Sequence, residues 1–191
     1  WNYRRAVWIS QTNRDRMERF SNDHGLSKHA GLKILPNHPP RSWLRSHNAA
    51  WVGPGPPWKL VYVGSLSLED TYLAEAARWV ARYPDRLSLD IFSQHTPDSV
   101  AHFLDDLAAP NIRYQQGGIP YADLPRVLVN YHVGLILYRG NTLNFVYNQP
   151  NKLFEYLACG LDVWYPREMR GIDAMAREIH ATRLNAARRT V

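Results

Sequence analysis

Trp58-Lys-Leu-Val-Tyr-Val63, followed directly by Gly64-Ser65, is the stretch that decides the fold. It does not alternate polar with apolar positions, so it predicts a strand covered on both faces, and Gly64 stops it. Glu69 to Arg82 follows with apolar residues at helical spacing, Leu73, Ala77 and Val80 falling on one face. The alternation then continues with a strand at Leu87 to Phe92, a helix at Asp98 to Ala108, a short strand at Asn111 to Tyr114 and a helix at Tyr121 to Val129. Val133 to Tyr138 reads as an apolar strand, Lys152 to Cys159 as a helix and Leu161 to Tyr165 as a last strand. Strands and helices alternating at these lengths predict an α/β fold, a doubly wound parallel sheet with helices on both sides.

Upstream, residues 46–58 (Ser-His-Asn-Ala-Ala-Trp-Val-Gly-Pro-Gly-Pro-Pro-Trp) break all periodicity and read as a linker, because proline fixes the backbone and removes donors. Before it, Ala6 to Ser10 predicts a strand, Asn13 to Asp23 a polar helix, and Leu32 to Leu35 a second strand ending at Pro36-Asn37. A strand, a helix and a strand cannot enclose a core, so residues 1–45 read as the tail of a preceding domain. The first residue is Trp1, which fits a piece of a longer protein; residues 167–191 read as a terminal, truncated helical segment.

Composition excludes several classes. With 45% hydrophobic and 21% charged residues in 191, the chain is globular in type, and no apolar run approaches the roughly 20 residues of a membrane helix. The single cysteine, Cys159, precludes an internal disulfide framework, suits a reducing compartment and reads as a packed small residue. The net charge of +6 collects toward the ends, at Arg14, Arg16 and Arg19 and again at Arg183, Arg188 and Arg189, where it reads as solvated surface or a membrane-surface contact. Basic residues are not interleaved with aromatics, which argues against nucleic acid, and the scattered histidines and carboxylates form no metal-ligand pattern.

Ligands of a doubly wound sheet bind beyond the carboxyl ends of its strands, so the loops there carry the chemistry. Gly64-Ser65 lets a backbone approach a phosphate, although a strand-Gly-Ser turn is also a common plain connection. Gly117-Gly118, before Ile119, permits unusual backbone angles and suits the edge of a nucleobase, or again a plain turn. The loop Arg139-Gly-Asn-Thr-Leu-Asn-Phe-Val-Tyr-Asn-Gln-Pro150 leads into a helix opening at Asn151, a natural cap, and closing at Gly160. Leu153, Phe154, Leu157 and Ala158 share the apolar arc of that helix; Lys152 and Glu155 fall outside it, one turn apart, able to face one ligand or simply solvent. Lys152 in the first turn also opposes the helix dipole, a mild local conflict of the kind found where function overrides stability.

Pro150-Asn-Lys-Leu-Phe-Glu-Tyr-Leu-Ala-Cys-Gly160 resembles the carboxyl-terminal signature of the group-1 (family 4-like) glycosyltransferases of GT-B fold. Val61-Tyr-Val-Gly-Ser65, Asn111-Ile-Arg-Tyr with Gly118, Tyr121-Ala-Asp-Leu-Pro125 and Val133-Gly-Leu-Ile136 follow the family's order, and Leu35-Pro-Asn37 echoes the end of its first domain. The resemblance spans Lys59 to Pro166 and implies a Rossmann-like, nucleotide-sugar donor-binding domain over residues 59–166, preceded by a remnant of the acceptor domain. It implies that Glu155 bonds the donor ribose and that Lys152 faces the diphosphate with Gly64 and Ser65. Asn144, Tyr147 and Asn148 would lie near phosphate and sugar, and Gly118 with Ile119 would line the base. No cofactor or metal is implied and no residue is assigned as catalytic. The partners implied are a nucleotide-sugar and a carbohydrate or lipid-linked acceptor, in cytoplasmic polysaccharide or glycoconjugate synthesis, peripheral at the inner membrane face. The expected chemistry is hexosyl transfer of the retaining type, with the fragment alone inactive.

Departures stand beside these expectations. Tyr147 occupies the position of a paired glutamate, Ser67-Leu-Glu-Asp70 replaces a basic clamp after the glycine turn, His132 replaces an aspartate and Asp162 a proline. The acidic turn leaves open an inactive, glycosyltransferase-like binding or interaction module. A nucleotide-sugar epimerase would need acidic and histidine groups around the sugar, and these are not found.

Overall fold

The structure, a computed structural model, describes residues 2–48, 55–176 and 181–184. Residues 49–54 of the expected linker and Arg188 and Arg189 of the basic tail lie outside them.

The first block forms a small parallel pair, β1 (Ile9–Gln11) and β2 (Leu32–Ile34), joined by α1 (Arg14–Asp23). Asn13 caps α1, its side chain accepting from the Arg16 amide at 2.9 Å, which satisfies one of the orphan donors of the first turn. A 3-10 segment, Arg41–Asn48, follows and buries Trp43 against the larger block.

That larger block is a six-stranded, all-parallel sheet in the order β5-β4-β3-β6-β7-β8. Its strands are β3 (Trp58–Val63), β4 (Leu87–Ser93), β5 (Ile112–Gln116), β6 (Val133–Leu135), β7 (Asp162–Pro166) and β8 (Ala181–Leu184). From β3 the chain winds outward through β4 to β5; it then crosses to β6 and winds the other way to β8. The reversal leaves a crevice between β3 and β6, the topological switch point of a doubly wound sheet.

From Leu60 onward β3 is apolar, and both faces of that stretch are covered; Trp58 and Lys59 at its start are exposed. Leu60 and Tyr62 pack with Leu73, Ala77 and Val80 of α2 (Leu73–Ala81) and Val100 and Leu104 of α3 (Asp98–Leu107). Val61 faces the opposite layer, formed by Leu124 and Leu128 of α4 (Leu124–Leu128) and Leu153 and Tyr156 of α6 (Asn151–Ala158). Burial of each such side chain contributes roughly 1.5–3 kcal/mol. Two features let α6 lie close on β6. Gly134 has no side chain, and the Tyr156 ring fills the space a Cβ would take, while the Tyr156 hydroxyl accepts from the Val63 amide at 3.0 Å. Gly134→Ala is therefore expected to cost about 2–3 kcal/mol in chemical denaturation, since neither sheet nor ring has room to retreat. An unchanged midpoint would contradict this packing.

Several elements differ from the sequence expectation. The helix expected from Glu69 begins at Leu73, because Ser67–Thr71 closes on itself first. The Asp70 amide donates to Ser67 Oγ at 3.0 Å, the Thr71 hydroxyl donates to the Ser67 carbonyl, and Thr71 bridges Tyr138. The loop expected between Arg139 and Pro150 contains a short helix, α5 (Leu143–Tyr147), capped by Thr142, whose hydroxyl accepts from the Phe145 amide at 3.2 Å. Asn151 is not the cap of α6; Pro150 holds that position, and no side chain caps the helix. Beyond Pro166, read as helical, the chain forms α7 (Arg170–Ala176) and then β8, which pairs with β7. No helix among the described residues is long and apolar enough to cross a membrane.

Candidate functional site

The switch-point crevice is walled by the turn after β3 on one side and by the segment from β6 to α6 on the other. Gly64 has φ +140°, a conformation that disfavours any side chain, and its amide donates to the Phe92 carbonyl at 3.0 Å. The Tyr62 hydroxyl donates to the Ser65 carbonyl at 2.7 Å, which fixes the turn. Opposite stands the amino end of α6, whose first amides have no acceptor within the helix and carry the positive end of its dipole.

Lys152 enters this crevice. It was expected on the polar side of α6, and the structure corrects that: the residue is 7% exposed. Its aliphatic stem follows the first turn inward, as lysine stems do along apolar surface, but here the ammonium is buried too. Nζ lies 4.2 Å from the Tyr62 ring centroid and 4.8 Å from that of Tyr138. A Cβ on Gly64 would stand 2.7 Å from Nζ and would push the ammonium out of its present place, besides straining a backbone at φ +140°. Among the described residues Nζ has no hydrogen-bond partner. Burial pulls its pKa down to about 7, against the attraction of Glu155. The site thus holds a desolvated amine whose hydrogen-bonding capacity is unused and whose charge a bound anion would stabilise.

Glu155 follows one turn along α6 and is half-buried; burial raises its pKa and Lys152 lowers it. Its charge reaches Tyr121, whose hydroxyl is raised first by burial and then by Glu155, and Tyr121 sits 4.9 Å from the Trp43 ring. Cys159 is buried, and burial followed by the Glu155 charge pushes its thiol up to about 11, which leaves it without nucleophilic character at neutral pH.

The other expected site residues are placed around this centre. Gly117 and Gly118 adopt φ +97° and +65°, and Gly118 lies against the Gln94 main chain at the end of β4. Ile119 packs on the cluster that also contains α6, which brings the glycine turn to the same side as Glu155. Asn144 and Tyr147, on α5, are held from the first block. Arg16 Nη1 donates to Asn144 Oδ1 at 2.8 Å, and Arg19 Nη2 donates to the Tyr147 hydroxyl at 2.7 Å. Asn148 and Tyr147 present their carbonyls to Gly171 of α7.

Sequence reasoning missed Tyr62 and Tyr138, the aromatic walls around Lys152, because each reads as an ordinary strand residue. It also missed Arg139, whose guanidinium pairs with Glu75 and donates to the Thr71 carbonyl at 3.1 Å, tying the loops after β3 and β6 together. The acidic turn is drawn into the same connection: Asn141 donates to Asp70 Oδ1 at 2.9 Å. No group of three or more His, Cys, Asp or Glu among the described residues is placed to hold a metal ion. A cavity of about 540 Å³ runs along the other flank of α6, between His38–Arg41 and Phe154, Leu157 and Ala158; it includes neither Lys152 nor Glu155.

The chain is similar in fold to solved glycosyltransferase structures. The apo structure of OtsA matches with a TM-score of 0.59 and 11% identity, over 93% of this chain and 49% of that one. The apo form of the lipopolysaccharide outer core galactosyltransferase WaaB matches with a TM-score of 0.60 and 17% identity, over 89% of this chain and 46% of that one. This chain therefore spans about half the length of each. No family model matches the sequence, and no curated protein does. At such identities the likeness establishes the fold, which is that of the Rossmann-like carboxyl-terminal half of a GT-B protein.

Proposed function

We propose that this chain is the donor-binding half of a glycosyltransferase that takes its sugar from a nucleotide-sugar. The observation that carries this reading is the unpartnered Lys152 ammonium, buried at the switch point between Gly64 and the amino end of α6. Breaking the bond between sugar C1 and the β-phosphate oxygen leaves a nucleoside diphosphate with growing negative charge. A desolvated ammonium and free helix amides stabilise that charge more strongly than water does. Glu155, one turn along the same helix, accepts hydrogen bonds from the ribose hydroxyls, and the turn at Gly118 and Ile119 receives the base. Asn144, Tyr147 and Asn148 border the phosphate and sugar. This chemistry uses the chain's own cation and no metal. The acceptor, a carbohydrate or lipid-linked sugar in polysaccharide or glycoconjugate synthesis, is proposed from the likeness to WaaB; residues 1–45 contribute part of the acceptor-side domain. Hexosyl transfer with retention, at the cytoplasmic face of a membrane, is part of the same proposal.

A second reading, a binding module without transfer, is favoured by the acidic Glu69-Asp70 where a basic clamp would serve the diphosphate. If that module still binds the donor, the two readings part at turnover; if it serves only as an interaction module, they part already at donor binding.

The test is a thermal-shift panel of UDP-, GDP- and ADP-sugars. Sugars of one base are expected to raise the melting temperature, and Glu155→Ala to weaken that binding about tenfold or more, a charge-assisted bond being worth roughly 1.5–3 kcal/mol. A folded chain that responds to none of them would overturn the proposal.

A further inference from the structure

The aromatic wall around Lys152 is not held by its own sheet alone. Tyr138 stacks on Phe145 with ring centroids 4.9 Å apart and planes 7° from parallel, so the seating of α5 sets how closely Tyr138 covers Nζ. α5 in turn is gripped from the first block. Arg16 takes Asn144, and Arg19 both donates to the Tyr147 hydroxyl and lies 4.0 Å over its ring. Asn13 Nδ2 donates to the Tyr147 carbonyl at 2.8 Å, and Asn37 Nδ2 to the Gln149 carbonyl at 2.9 Å. The two asparagines fix the main chain; the two arginines fix the side chains.

Neither arginine is in place to satisfy a carboxylate. Among the described residues no ion pair joins Arg16 or Arg19 to Asp15 or Glu18 on the same helix. A guanidinium that stacks on Tyr147 while bonding its hydroxyl uses a planar fork that lysine lacks. The contacts are exposed and their acceptors neutral, so they can be released without burying a charge.

We propose that Arg16 and Arg19 are positioning residues that clamp α5 from the first block and thereby close Tyr138 over the Lys152 ammonium, making the donor site dependent on contact between the two blocks. The inference deepens the donor-site reading and rests on it for its functional consequence, but its structural content stands separately. The groups facing Nζ are Tyr62 from β3, Tyr138 after β6 and Glu155 from α6. Of these, Tyr138 is the one whose place depends on α5.

The experiment is NMR titration of the Lys152 side chain, by its ¹³Cε shift, in the unliganded chain and in R16A/R19A and R19K. It is paired with melting temperatures and with titrations of UDP, GDP and ADP. In the parent chain the midpoint is expected near 7. In R16A/R19A it should rise by at least about one unit as water reaches the amine, with a melting temperature within a few degrees of the parent. The affinity for whichever diphosphate binds should fall about fivefold. R19K, which keeps the charge and loses the fork, should lie between the two. A Lys152 midpoint that the double substitution leaves unmoved, or one near the ordinary lysine value in the parent, overturns the inference. If the midpoint moves as expected but no diphosphate binds the parent chain, the clamp stands and the donor reading falls.

Discussion

Lys152→Met is expected to make the protein more stable at pH 6 while abolishing binding of a nucleoside diphosphate. Among the described residues the buried ammonium has no hydrogen-bond partner; two aromatic faces and a half-buried carboxylate stand beside it. Burial lowers its pKa from 10.5 to about 7, which corresponds to a folding penalty of several kcal/mol while the amine is charged. Methionine fills the same space without charge, and replacing buried ionic groups by apolar ones of similar volume gains about 1–4 kcal/mol. The sign also sets the pH dependence. Below about pH 7 both folded and unfolded chains carry the proton and the penalty is full; between about 7 and 10.5 the unfolded chain binds more protons, so stability rises with pH. The stability gap between Lys152→Met and the parent should therefore be widest near pH 6 and close as pH approaches 10, as measured by urea denaturation. A parent chain more stable than Lys152→Met at pH 6 would mean that the ammonium has a partner after all.

Binding of the diphosphate should take up a proton. An anion against Nζ restores the pKa that burial lowered, so above about pH 7 each binding event draws a proton onto Lys152. Affinity is then expected to fall by up to about tenfold per pH unit above that point. Calorimetry at pH 8.5 in buffers of different ionisation enthalpy should report an uptake approaching one proton. The second ionisation of a terminal phosphate lies near 6, so the ligand is fully charged throughout this window. Affinity that stays level from pH 6.5 to 9 would show that Lys152 does not meet the phosphates.

The doubly wound, parallel character of the sheet was legible because the inner part of β3 is apolar on both faces, which coverage by helices on both sides explains, and because strand and helix alternate; the strand order itself was not read from the sequence. The site's helix was legible from its apolar arc, from Gly160 at its end and from the resemblance of Pro150 to Gly160, although Asn151 does not cap it. Burial of Lys152 was not. On a helical wheel it falls with Glu155 on the polar side, and only the place of Tyr62 and Tyr138 shows that this side faces a crevice rather than water. α5 was missed for a different reason: five residues carry too little periodicity to distinguish a helix from a loop. The start of α2 was misplaced because the hydroxyls of Ser67 and Thr71 compete with the helix for backbone groups, a contest that composition alone does not decide. The contacts of Arg16 and Arg19 with Asn144 and Tyr147 join residues 128 positions apart, beyond the reach of any local pattern.

The most direct test of the central claim is titration calorimetry of the parent chain and Lys152→Met with UDP, GDP and ADP at pH 6.5. The account predicts saturable binding of one diphosphate by the parent chain and none by the folded variant. Binding that survives the loss of the ammonium, or a folded parent chain that binds no diphosphate, would contradict it.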